Sequence, residues 1–415
     1  MNTNTYLEGW AARYRDDLTH DILPFWLEHG LDRVNGGVYT CLDREGRIYD
    51  TTKSVWFQGR FGFICANAYN NIEPRQEYLD AARSCIDFIE AHCTAEDGHM
   101  YFEVTAEGRG LRKRRYVFSE SFAAIAMSEY AIATADRTWA DKSLAIFRRM
   151  QEMLTTPGAL LPKYEPGVEM IGHSITMILI NVGARIRDAF ERLGIEGEEW
   201  MNTLNCQIDE SIMALRDKFL HPEFKCLLET VAPDGSFIDT QIGRTINPGH
   251  CIETAWFLLE EARYRETRDG IAGNGDGCAL SASAIRDLAL TIFDWSWEWG
   301  WDKQYGGLIN FRDCKHWPVQ DYSQDMKFWW PQCEAIICCL YAYEATGDER
   351  FLRRHQEVSD WTYGHFPDHV YGEWYGYLHR DGTVAQPAKG NIFKGPFHIP
   401  RMMIKCHELI TRING

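Results

Sequence analysis

The feature that most constrains this chain is repetition. Short glycine-bearing stretches of strand-like alternation recur along it: "GGVYTCLDREG" from Gly36, "GHMYFEVTAEG" from Gly98, "FKCLLETVAPDG" from Phe224, "GGLINFRD" from Gly306 and "GEWYGYLHRDG" from Gly372. With the shorter "PGALLPKY" near Pro157 there are about six, spaced by very roughly 60 to 80 residues. Several end in Asp-Gly or Glu-Gly, the turn chemistry of a hairpin. Between them, apolar residues recur at helical spacing. Helices are predicted near 4–29, 54–71, 75–92, 118–134, 138–154, 172–193, 196–216, 250–266, 281–299, 326–345, 348–364 and 397–412.

Twelve helices in six pairs, with hairpin-like loops, predict an all-α chain folded as an (α/α)6 barrel. Six inner helices are ringed by six outer ones, in a single catalytic domain spanning residues 1–415. An irregular α-solenoid is the competing architecture, but a strict repeat consensus is missing. No linker divides the chain. In such a barrel the inner-helix ends and the long loops rim a central cavity, so polar residues at those ends are the site candidates.

Composition narrows the function. A net charge of −17 argues against nucleic acid and anionic membrane surfaces as partners. Apolar residues at 45% supply a sizeable core, and 15 Trp offer both core volume and stacking faces for sugars. The 13 Cys are odd in number and lack metal-type spacing, which fits a reducing compartment. The N-terminal stretch has no apolar signal core, and no window reaches the roughly 18 apolar residues of a membrane span. A cytoplasmic protein is expected. "RDGIAGNGDG" and "GIEGEEW" read as acidic, solvated loops.

Six stretches carry candidate chemistry. In "NPGHCIETAWFLLE", Asn247 and Pro248 suit a helix start, and His250 and Glu253 stand at i and i+3 on one face. A carboxylate beside imidazole favours the imidazolium and the positive helix end opposes it, so the ring can act as acid or base near neutral pH. In "KGPFHIPRMMI", His398 begins a helix and Arg401 follows at i+3. In "KSVWFQGRFGF", Arg60 lies among aromatic residues, where a guanidinium must find a partner or face a cavity; there it would bind sugar hydroxyls or stabilise a developing oxyanion. "KFWWPQCEA" offers Trp329 and Trp330 as stacking surfaces, with Glu334 at the same helix end. His173 begins the apolar helix of "GHSITMILIN", and Glu120 begins that of "VFSESFAAIAMSEYA". Each also has a structural reading, as a cap, a buried ion pair or a satisfied core histidine. No phosphate loop, dinucleotide fingerprint, H-E-x-x-H or Cys-x-x-Cys pair occurs. His365 and His369 flank a Pro in a predicted loop, and no metal site is expected there.

Taken together, "FWLEHGLD", "GGVYTCLDREGRIYD", "KSVWFQGR", "FSESFAA", "NPGHCIETAWFLL", "KFWWPQCEA", "GEWYGYLHRDG" and "KGPFHIPR" resemble the N-acylglucosamine 2-epimerase (renin-binding protein) family, in family order and over nearly the whole chain. The resemblance implies an isomerase interconverting N-acetyl-D-glucosamine and N-acetyl-D-mannosamine, with no required cofactor and no metal. The sugar opens, one base removes the C2 proton, and an acid on the other face returns one. The resemblance assigns those roles to His250 and His398. Glu253 matches the residue that orients or tunes His250, and Arg60 and Glu334 match site residues near C1 and C2. Trp329, Trp330, His173 and Arg401 complete the expected sugar site.

His173 is similar to a site histidine of related aldose–ketose isomerases and cellobiose 2-epimerases, where N-acylglucosamine epimerases carry an apolar residue. That keeps a mannose/glucose 2-epimerase or aldose–ketose isomerase open as an alternative. An inverting glycoside hydrolase fits less well, because the histidines would lack a role, and so does a pure binding protein. ATP activates some family members, although no phosphate-loop pattern marks a place for it. A homodimer is expected.

Overall fold

The computed structural model describes residues 3–268 and 280–415, so all of "RDGIAGNGDG" after Arg268 lies outside the described residues. The described helices are α1 (Thr3–Asp17), α2 (Leu23–His29), α3 (Val55–Asn71), α4 (Gln76–His92), α5 (Phe118–Thr134), α6 (Arg137–Thr155), α7 (His173–Arg192), α8 (Glu198–Ala214), α9 (Pro248–Glu266), α10 (Ala282–Gly300), α11 (Trp329–Thr346), α12 (Glu349–His365) and α13 (His398–Asn414). They match the predicted set within a few residues. The helix expected over 4–29 is one run broken by a π-turn at Leu18–Ile22. The cause is Pro24, near the start of α2: its ring collides with an upstream carbonyl and it lacks an N–H, and a wider turn accommodates both.

Helices α3, α5, α7, α9, α11 and α13 pack side by side, and α13 closes the ring onto α3. Helices α1, α4, α6, α8, α10 and α12 back them from outside. The side-chain patterns explain the division. In α5 every residue from Ser119 to Ala131 is buried, because both neighbours and an outer helix enclose it. In α6 only one stripe is buried: Trp139, Ala140, Ser143, Leu144, Phe147, Met150 and Met153. That is the spacing of a helix with one wet face. This is an (α/α)6 barrel.

The loops pair only briefly, in strands of two or three residues. "GHMYFEVTAEG" contributes a hairpin between Glu103–Val104 and Gly110–Arg112, and "GEWYGYLHRDG" contributes Tyr377–Leu378, which pairs with Val384–Gln386. "GGVYTCLDREG" makes only the isolated bridges Leu31–Val38 and Leu42–Ile48. "PGALLPKY" forms no strand.

Side chains hold the other loops. The Lys53 ammonium is buried and donates to Asp32 Oδ2 at 2.8 Å, Gly36 O at 2.7 Å and Ala106 O at 2.8 Å. Lys327 does the same with Asp302 Oδ2 at 3.0 Å, Gly306 O at 2.6 Å and Gly307 O at 3.1 Å. Five residues after each lysine a glutamine brackets a loop residue. Gln58 accepts from Val38 N at 2.8 Å and donates to Val38 O at 2.9 Å; Gln332 accepts from Leu308 N at 2.8 Å and donates to Leu308 O at 3.0 Å. The Gly-Gly turns these clamps grip adopt positive φ at Gly36, Gly37, Gly306 and Gly307, which only glycine does without strain. Two residues beyond each glutamine stand Arg60 and Glu334. The repeated fastening therefore sets the first turns of α3 and α11, and with them two charges near the barrel axis.

Candidate active site

The N-terminal ends of the inner helices, with the loops around 310–323 and 377–397, enclose a cavity of about 700 Å³. Its walls include Trp56, Arg60, Phe122, His250, Glu253, Trp329, Trp330, Phe397, His398 and Arg401. An apolar, aromatic lining with a few convergent charges is the usual make-up of a small-molecule site.

His250 sits in the first turn of α9. Asn247 caps that turn by accepting the His250 N–H at 3.1 Å. Gly249 leaves room for Trp330, whose ring would stand 2.6 Å from a Cβ there. The Trp330 ring centroid is 5.1 Å from the His250 ring and 5.7 Å from that of His398, so one indole supports both imidazoles. His250 Nδ1 meets both carboxylate oxygens of Glu229 at 3.1 Å. Burial opposes a charged ring, but the Glu229 carboxylate outweighs it, and the proton affinity of His250 is raised above the ordinary histidine value.

His398 begins α13. Its Nδ1 lies 2.7 Å from Glu334 Oε1. Arg401 donates to the same oxygen at 2.6 Å and also binds Glu253, while Trp256 Nε1 donates to Glu334 Oε2 at 2.8 Å. Burial, then the positive charges of Arg401 and Arg60, drive the proton affinity of His398 well below the ordinary value. A neutral ring that donates Nδ1–H to Glu334 leaves the Nε2 lone pair available as a base. The cavity thus carries one imidazole that favours its proton and one that refuses it.

Arg60 lies over the Phe122 ring at 4.1 Å and the Phe397 ring at 4.7 Å. Its Nε has no protein partner. Burial and the neighbouring Arg401 depress its proton affinity to about 9, against the pull of Glu253 and Glu334. Glu253, Glu334 and His398 bring ligand-type atoms within 4.8 Å of one another, and the Arg401 guanidinium bonds to both of those carboxylates.

Several sequence expectations need correction. Glu253 does not orient His250, although its charge adds to the rise in that ring's proton affinity. It pairs with Arg401, and Glu229 takes the place expected of it. Helical spacing puts Glu253 and His250 on one face, but a fixed cation across the cavity pulls the flexible carboxylate away. Glu334 is fully buried behind the wall and holds His398 rather than facing the cavity. His173 was expected to read the sugar; its ring has no exposed surface, and it contacts Thr254 and Glu229 instead. Glu120 is buried outside the cavity, where it accepts the Met100 N–H at 2.7 Å. Glu229 carries little local mark of a site residue, because "FKCLLETVAPDG" reads as a hairpin. Its signal was a lone charge in the apolar run Cys226 to Pro233. Asn310, Asp321, Ser323 and Tyr377 also line the cavity from loops with no periodicity to mark them.

Similar proteins share this fold. The chain superposes on cellobiose 2-epimerase from Spirochaeta thermophila with a TM-score of 0.82, at 19% identity over 100% of both chains. It superposes on a D-mannose isomerase with a TM-score of 0.77, at 18% identity over 99% of both. The fold is therefore one shared by sugar-isomerising barrels. It is 32% identical to N-acylglucosamine 2-epimerase of Bos taurus over 413 residues, which cover 98% of this chain and 92% of that one. Residues 37–395 match the N-acylglucosamine 2-epimerase (GlcNAc 2-epimerase) family, and the chain belongs to it. It is an enzyme of the isomerase class, from a family of cofactor-independent sugar epimerases. Among the described residues no helix is long and apolar enough to cross a membrane.

Proposed function

We propose that the enzyme interconverts N-acetyl-D-glucosamine and N-acetyl-D-mannosamine through two-histidine proton transfer at C2 of the ring-opened sugar. The observation that carries this reading is the pair of cavity imidazoles that flank Trp330, His250 bonded to Glu229 and His398 bonded to Glu334 beside Arg401, which shifts their proton affinities in opposite directions. In the opened sugar the C2–H lies next to the C1 aldehyde. Neutral His398 takes that proton, and the electron pair moves onto O1, giving an enolate with the acetamido group still on C2. Protonated His250 then delivers its proton to C2 on the other face, the electrons return, and the aldehyde re-forms as the epimer. The reverse reaction exchanges the two roles. Arg60 faces the developing O1 charge, where a preorganised cation lowers the barrier most. Trp330 and Trp329 offer faces for the sugar's C–H surface.

The choice of an N-acetylated sugar gains weight from His173. Its likeness to the isomerase branch was the argument for a free hexose, and its ring does not reach the cavity. A hydrolase needs a carboxylic acid free to protonate the leaving oxygen. Glu253 and Glu334 are both committed to Arg401, and Glu229 is committed to His250.

The same reading takes the protein as a single catalytic domain working as a homodimer in the cytoplasm, with ATP as an allosteric activator and no required cofactor. The 12 described cysteines are all free thiols, which supports a reducing compartment. Proton NMR in deuterated water tests the chemistry, with N-acetylmannosamine, mannose, glucose and cellobiose offered in turn. Deuterium should enter C2 of N-acetylmannosamine as N-acetylglucosamine appears. Exchange confined to a free hexose would refute the substrate assignment, and a ketose product would refute the reaction type. Turnover with and without ATP and sedimentation velocity check activation and assembly.

A further inference from the structure

Behind His250 lies a chain of polar groups that the reaction as described does not use. Glu229 Oε1 is shared: His250 Nδ1 is 3.1 Å from it and His173 Nδ1 is 3.4 Å from it. The other nitrogen of His173, Nε2, is 2.8 Å from Thr254 Oγ1. Thr254 has one hydroxyl proton, and it donates that proton to the His250 carbonyl at 2.9 Å. Thr254 must therefore accept from His173, so Nε2 of His173 carries a hydrogen. With Nε2–H committed, Nδ1 donates to Glu229 only when the ring is doubly protonated. Otherwise two lone pairs face each other across a buried contact.

We propose that His173 is a positioning residue that competes with His250 for the Glu229 carboxylate and so sets how readily His250 releases its proton. The proposal rests on the epimerase reading for its consequence and on this geometry for its substance. One carboxylate compensates one positive ring. The shorter contacts to both oxygens give His250 the larger share, and His173 draws on the remainder. Without His173, Glu229 would bind the His250 proton more tightly and the acid would be slower to give it up. Without Glu229, His250 would lose its main partner. The other charged or titratable groups facing His250 are Glu253 on its own helix, Glu334 from α11, and His398 and Arg401 from α13. Glu253, His398 and Arg401 line the cavity, and Glu334 lies behind its wall. His173, from α7, joins the carboxylate from behind, with its ring buried against Phe219 at 5.8 Å.

Two substitutions should therefore move one titration in opposite directions. In protein labelled with ¹⁵N-histidine, His173→Phe should shift the His250 titration upward by about one pH unit, and Glu229→Gln should shift it downward by a similar amount, the scale of one close charge. His173→Gln, which donates without a charge, should fall between Phe and wild type. The alkaline limb of kcat/KM should follow each shift, with little change in KM. The titration is read on the free protein, so it stands or falls separately from the choice of sugar or the existence of turnover. An unmoved or downward shift in His173→Phe overturns the proposal, even with epimerisation intact. If that variant does not fold, the wild-type spectrum decides: a His173 ring protonated at Nε2 alone throughout about pH 6 to 8 overturns it equally.

Discussion

The two walls of the cavity use the same side chain to opposite ends. On the α9 wall, His250 has a carboxylate, Glu229, that no arginine or lysine occupies, and the ring gains affinity for its proton. On the α13 wall, His398 also has a carboxylate, Glu334, but Arg401 is bound to that same oxygen. Burial is the largest cause that keeps this ring neutral, and the Arg401 guanidinium, followed by Arg60, opposes the charge that would have favoured an imidazolium. A histidine–carboxylate contact alone therefore says little about protonation. Both rings are buried, and what separates them is whether the carboxylate's charge is left to offset that burial or has already been compensated.

The contrast is broken most severely by removing either ring. His250→Asn and His398→Asn should each lower kcat by roughly 10²- to 10⁴-fold with the fold retained, as the loss of a general acid or base does. Each variant should still wash the C2 proton out of the one epimer that faces the surviving base. Near-normal turnover in either would remove that histidine from the reaction. Arg60→Lys keeps the charge but loses the planar fork, and should cost up to roughly 10²- to 10³-fold in kcat with little change in melting temperature. A large loss of melting temperature with normal specific activity would make Arg60 structural.

Glu334→Gln tests the α13 wall more finely. His398 keeps a neutral acceptor, but Arg401 keeps only Glu253. A drop in kcat of roughly 10- to 100-fold is expected, the usual scale for a partner that orients a working imidazole. The melting temperature should fall too, because an unbalanced buried cation is costly. The pH profile probes both walls at once. One direction needs His398 neutral and His250 protonated. Activity should rise as His398 loses its proton below the ordinary histidine value and fall as His250 loses its proton above it. The result is a plateau through neutral pH, wider than two ordinary histidines would produce. A narrow optimum near the ordinary histidine value would contradict the division of states. The smallest effect is expected on specificity: His173→Met should leave the ratio of specificity constants for N-acetylmannosamine and mannose unchanged, since the ring does not reach the cavity. A changed ratio would return His173 to the substrate site.

The division between what was legible in the chain and what was not follows the same walls. The helices could be read from the residues because a 3.6-residue period is local: α6 shows its stripe, and α5 shows its enclosure in the unbroken apolar run from Phe122 to Met127. Six glycine-bearing loops between helix pairs then restrict the packing to a closed ring. The histidines at helix starts were legible for the same reason, since a cap and a first turn involve only neighbours. The partners were not. Glu229 reaches His250 across 21 residues, His173 reaches Glu229 across 56, and Glu334 reaches His398 across 64. Glu253, the near neighbour, was instead drawn to Arg401 across 148. The sequence by itself determined the barrel and put Arg60, His250, Glu253 and His398 at its mouth, because backbone periodicity and turn chemistry act over a few residues. Only ring closure decided which carboxylate each imidazole meets and which of those carboxylates already holds a cation. Charge compensation in a buried site depends on distances of a few ångströms between segments far apart in the chain.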